Sequence, residues 1–71
     1  MMAMTDLQKL RILLPHWIEH NAEHAAEFRE WAERARVAGQ EGAASDIALA
    51  AEELEWANEE LAAGLEKLGQ G

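Results

Sequence analysis

The chain has 71 residues and no cysteine, which allows one small domain and excludes disulfides and thiolate metal ligands. Fourteen acidic against six basic residues give a formal charge of −8, which argues against nucleic-acid phosphates as the main partner and favours cations. No apolar run approaches the roughly 20 residues of a membrane span, and no basic leader precedes a long apolar core, so a soluble cytoplasmic protein is expected.

Alanine and glutamate dominate, tyrosine is absent and the one proline lies in the first third, which predicts an all-α protein. Met1 to Met4 reads as a lead-in whose methionines are able to pack on a neighbour. Thr5-Asp6-Leu7-Gln8 fits a capping box, in which the Thr5 hydroxyl covers an orphan amide and Gln8 reaches back. Leu7, Leu10, Leu14 and Trp17 then recur at helical spacing, predicting a helix over about residues 5–38. Pro15 donates no amide and crowds the carbonyl four residues back, so a kink or a break into two helices is expected there.

His16 to Glu27 reads HWIEHNAEHAAE, the tetrapeptide His-x-x-Glu three times in tandem. A repeat of four drifts only about 40° per step on a helix, so His16, His20 and His24 climb one side, one turn apart. Glu23 and Glu27 fall in or beside that stripe, with Glu19 slightly behind it. On a helical wheel the apolar face runs through Trp17, Asn21, His24, Phe28, Trp31 and Ala35. His24 is expected well inside this face, His20 on its edge and His16 farther out. Imidazoles with interleaved carboxylates suit a divalent transition metal: Ni, Co, Zn, Cu(II) or Fe. His20 and His24 are expected to form the central chelating pair, His16 to be a third ligand, and Glu23 or Glu27 to complete or orient the shell. The competing reading is a solvated glutamate face with which the histidines pair electrostatically.

Arg29, Arg34 and Arg36 gather towards the end of this helix, where the dipole favours cations, and Gly39 reads as its left-handed cap. A turn over 39–45 is predicted to lead to Ser45 as N-cap, with Asp46 in the first turn of a second helix over about 46–68. Ile47, Leu54, Leu61 and Leu68 recur every seven residues, as do the small residues Ala50, Ala57 and Gly64. Trp56 and Leu49 lie on another flank and suggest a second contact surface, while Glu52 to Glu60 is a solvated face partly neutralising the arginines. A short turn makes the helices antiparallel neighbours whose facing positions sum to about 83. That register brings Asn58 near Ala25, within reach of Asn21 and His24, and Glu60 near Glu23, so the second helix could lend a carboxylate or amide to the histidines. Asn21 and Asn58 read as a polar pair fixing register, and Trp17, Phe28, Trp31 and Trp56 as core or interface packing. A lone hairpin of this size encloses too little apolar surface, which predicts a homo-oligomer, a dimer forming a four-helix bundle.

Enzymatic chemistry is not indicated. There is no Gly-rich phosphate loop, the His-Glu-x-x-His order of zinc proteases is absent, and His-x-x-Glu reverses the Glu-x-x-His of bundle di-iron proteins. The run Leu14-Pro-His-Trp-Ile-Glu-His-Asn21, followed by Glu23-His24 and Glu27-Phe28, resembles a group of small uncharacterised prokaryotic helical-hairpin proteins with an HWIEHN-type signature. The resemblance covers about fifteen residues and implies a role near transition-metal handling. Two functions follow: a soluble metal carrier, buffer or accessory protein, or a structural or interaction module that self-associates through helix packing.

Overall fold

The computed structural model describes residues 3–69. Two helices, α1 (Asp6–Val37) and α2 (Glu41–Gly69), pack along their length as an antiparallel hairpin of 57 × 24 × 12 Å, with no strand among the described residues. No helix among those residues is long and apolar enough to cross a membrane. Of the lead-in, Met1 and Met2 lie outside the described residues, and Met4 is exposed.

The capping box forms as read. Gln8 donates its backbone amide to Thr5 Oγ1 at 3.1 Å, and Thr5 donates its own to Gln8 Oε1 at 2.8 Å. The break expected at Pro15 does not occur, and α1 runs on through it. Proline removes one hydrogen bond from the ladder, but Leu14 beside it is buried against α2 and Ile18 one turn on is half-buried. Packing on both sides of the gap holds the helical path.

At the other end Gln40 donates its amide to the Ala35 carbonyl at 2.9 Å and Gly39 donates to that of Arg36 at 3.0 Å. These are the paired bonds of a Schellman motif, which needs a left-handed residue, and Gly39 supplies it with φ 84°. A Cβ on Gly39 would meet nothing within 4 Å. Gly39→Ala is therefore expected to cost only the backbone term, about 1–2 kcal/mol, read as a lower urea midpoint with unchanged m-value.

The second helix starts earlier than the sequence suggested. It begins at Glu41, so Ser45 is not its N-cap, Asp46 is not in its first turn, and the turn over 39–45 shrinks to residues 38–40. Gln40 closes the motif on α1 and its carbonyl accepts the first bond of α2, from the Ala44 amide at 2.9 Å. With that carbonyl already in place, the alanine-rich run that follows has no reason to delay helix formation.

Between the helices the contact line on α1 is Leu14, Ile18, Asn21, Ala25, Phe28, Ala32 and Ala35, all buried or half-buried and spaced alternately four and three. On α2 it is Ala44, Ile47, Ala51, Leu54, Asn58, Leu61, Leu65 and Leu68, including the predicted leucine heptad. That spacing is the seam of 3-4 helix packing. The most buried members are Ala25 and Ala51, at 2% and 0% exposure, so the backbones approach closely at mid-hairpin.

The register also differs from the expected one. Asn58 donates through Nδ2 to the Ile18 carbonyl at 2.9 Å rather than lying beside Ala25, and Arg11 reaches the Leu68 carbonyl at 3.0 Å. Shortening the turn moves its centre two to three residues back, which shifts facing positions by roughly twice as much. Asn58 thus spends its amide on main chain instead of pairing with Asn21, and its Oδ1 is buried without a partner.

Arg29 donates to both carboxylate oxygens of Glu55, at 3.0 and 2.5 Å, tying α1 to the acidic stretch of α2 as expected. Arg34 pairs with Glu30 and Arg36 with Glu33 along α1. The Arg29 hydrogen bonds hold the Glu55 carboxyl below its ordinary range, and those of Arg36 do the same for Glu33. A lowered folded value contributes stability above the ordinary carboxylate range, and that contribution is lost as pH falls through the folded value. Both pairs are exposed, so the effect is small. Glu55→Gln with Glu33→Gln is expected to lower the neutral plateau of a stability–pH curve slightly and so flatten its acid limb, with stability at the acid end nearly unchanged.

Candidate metal centre

The three histidines stand on consecutive turns of α1, as the four-residue repeat requires, and all three are exposed. This corrects the expectation that His24 lies inside the packed face. The true seam passes through Asn21, Ala25 and Phe28, and His24 sits on its flank between Trp17 and Trp31. Those tryptophans are not core either: Trp17 is 40% exposed, Trp31 53% and Trp56 60%, while Phe28 is half-buried.

Ring geometry orders the row. His16 and His20 have centroids 4.6 Å apart, His20 and His24 5.9 Å, and His24 stands 6.3 Å from Phe28. Two imidazoles bound to one ion through nitrogens near 2.0–2.1 Å bring their centroids to about 4.5–5.2 Å for bond angles between 90° and tetrahedral. His16 and His20 already have that separation, whereas the pair expected to be central, His20 and His24, is wider. His16, His20 and His24 line an open hollow with Trp17 and Asn21, and the residue that α2 brings to it is Leu61.

The carboxylates do not close the shell. Glu23 and Glu27 are exposed, and Glu27 lies beside a second hollow with Phe28, Trp31, Ile47 and Ala50. Among the described residues no group of three or more His, Cys, Asp or Glu side chains is gathered for an ion. The loan expected from α2 is not made within the chain, since Asn58 is held by Ile18 and Leu61 occupies the place opposite the imidazoles. One hairpin therefore sets two exposed imidazoles side by side, with no third ligating side chain gathered to them among the described residues.

The sequence reading also missed one line. Leu10, Trp17, His24 and Trp31 are spaced seven apart, as are Ala50, Ala57 and Gly64 on α2. Trp31 and Ala50 line one hollow and Trp17 and Leu61 another, so both lines border the same side of the hairpin. Arg34 lies over the Trp31 ring at 4.7 Å, a cation–π contact that keeps its guanidinium at the rim of that side.

Fold and site together define an antiparallel helical hairpin with an exposed imidazole row on its first helix. The chain belongs to the family described as Domain of unknown function (DUF8180), whose model matches residues 10–68 and so takes in the whole row and most of both helices. No curated protein and no solved structure matches the chain.

Proposed function

We propose that this protein binds a divalent transition metal and serves in the cytoplasm as a non-enzymatic carrier, buffer or accessory protein. The observation that carries the reading is the 4.6 Å separation of the His16 and His20 rings, one turn apart and open to solvent. His24 is the third imidazole, and Glu23 or Glu27 orients or supplements the set. Ligands of this kind without sulfur suit Ni, Co, Zn, Cu(II) or Fe. Equilibrium dialysis against each metal with elemental analysis tests the proposal. The parent chain is expected to retain metal at neutral pH, and His16→Ala with His20→Ala to lose it while keeping its helical circular dichroism. Equal retention by the double variant would remove the site from this row.

The second reading, a self-associating interaction module, draws on a different observation. Among the described residues five make up the buried core, four of them alanines, while Trp17, Trp31, Trp56 and Leu49 are exposed. A chain that sediments as a dimer and retains no metal in dialysis would favour this reading over the first.

A further inference from the structure

The side of the hairpin bordered by the two heptad lines has no partner among the described residues. On α1 it presents a bulky ridge of Leu10, Trp17, His24 and Trp31, and on α2 a strip of small residues, Ala50, Ala57 and Gly64. At Gly64 a Cβ would meet nothing within 4 Å, so the strip is open there to a helix arriving from outside. The opposite side offers no such ridge and carries the Arg29–Glu55 and Arg36–Glu33 pairs.

We infer that this open side takes a second copy of the chain, related by a two-fold axis parallel to the helices, and that Glu60 of the second copy completes the metal shell begun by His16 and His20.

A second copy is the fitting occupant because the face carries both halves of its own complement. An interface with two-fold symmetry must be self-complementary. An axis along the bundle sets the tryptophan ridge of each chain on the alanine–glycine strip of the other. An axis across the bundle would set ridge against ridge and strip against strip, leaving clashes at one and voids at the other. Area agrees: the chain exposes 5511 Å², roughly 1,100 Å² more than a compact monomer of its mass, and a standard interface covers about 800 Å² per partner.

Charge and height supply the ligand. An axis parallel to the helices leaves every residue at its own level, and Leu61 shares a level with His16 and His20 while Ala50 shares one with Trp31. The rim of α1 then runs beside the rim of the other chain's α2, with Arg34 meeting Asp46 and His20 meeting Glu60. Between these pairs Glu27 meets Glu53, a like-charged contact that solvent and salt must screen.

The ligand half rests on the metal reading above, whereas the dimer half does not, and the experiment separates them. Arg34→Cys and Asp46→Cys are made as separate full-length chains in this cysteine-free background, mixed, and treated with a short bis-maleimide. Cross-linking in the mixture, with little in either variant alone, is expected. A parent that sediments as a monomer at micromolar concentration, or cross-linking of each variant with itself, would overturn the dimer. For the ligand, Ni²⁺ is titrated into the parent and into Glu60→Gln by calorimetry, with a loss of at least about tenfold in affinity expected. If Glu60→Gln binds Ni²⁺ like the parent while the His16→Ala, His20→Ala chain has lost it, the Glu60 assignment is wrong and the imidazole reading stands. If the double-histidine variant also binds like the parent, the metal reading fails, and the cross-links alone judge the dimer.

Discussion

Leu14→Ala is expected to remove about 2–5 kcal/mol and to bring a sharp fall in the urea midpoint. Among the described residues Leu14 is the one large side chain in the buried core, at 7% exposure, and the other core members are alanines. It also immediately precedes Pro15, where α1 lacks a ladder hydrogen bond, so its burial fastens the helix at its weakest point. A chain of this length holds roughly 4–10 kcal/mol in total, so a large share of it depends on one side chain. Ile12→Ala is the control. Ile12 is 61% exposed, and its loss should stay within about 0.5 kcal/mol. Urea titration followed at the helical minima reads both. Equal midpoints for Leu14→Ala and Ile12→Ala would mean that the α1–α2 seam is not what holds the hairpin together.

Much of this seam was legible from spacing alone. The capping box at Thr5, the left-handed cap at Gly39 and the leucine heptad of α2 each depend on near neighbours in sequence, and each formed as read. The start of α2 was not legible, because Ser45-Asp46 looks like a helix start and nothing local says that Gln40 has already opened the helix. That displacement shifted the register and moved Asn58 from Ala25 to Ile18. The burial of the histidines failed for another reason. Large residues at Trp17, Phe28 and Trp31 drew the apparent apolar face towards the flank, whereas the real seam is built on alanines small enough to let the backbones meet. A wheel weighted by hydrophobic size finds where apolar area is greatest, and in a hairpin that leaves area unspent this need not be the side facing its own second helix. The same discrepancy marks the flank through Trp17, His24 and Trp31 as the face left for another chain.

Saturating Ni²⁺ or Zn²⁺ is expected to raise the melting temperature by roughly 10–20 °C. Free metal at a hundred times Kd stabilises a folded state by about 2.7 kcal/mol, and a domain of this size gains about 4–8 °C per kcal/mol. The gain depends on the ion preferring the folded chain. Only the helix brings His16 and His20 to 4.6 Å; the unfolded chain must pay conformational entropy to do the same. Protons compete for the same nitrogens, so the increment should shrink as pH falls. His16→Ala with His20→Ala should abolish it at every pH, because one remaining imidazole makes no chelate. His24→Ala should reduce it only in part, since its ring stands 5.9 Å from His20 and joins the shell only after moving. Differential scanning calorimetry with and without metal, at pH 7.5 and pH 5.5, reads all of these. An increment that survives in the double-histidine variant, or does not change with pH, would place the bound ion on carboxylates and away from the histidine row.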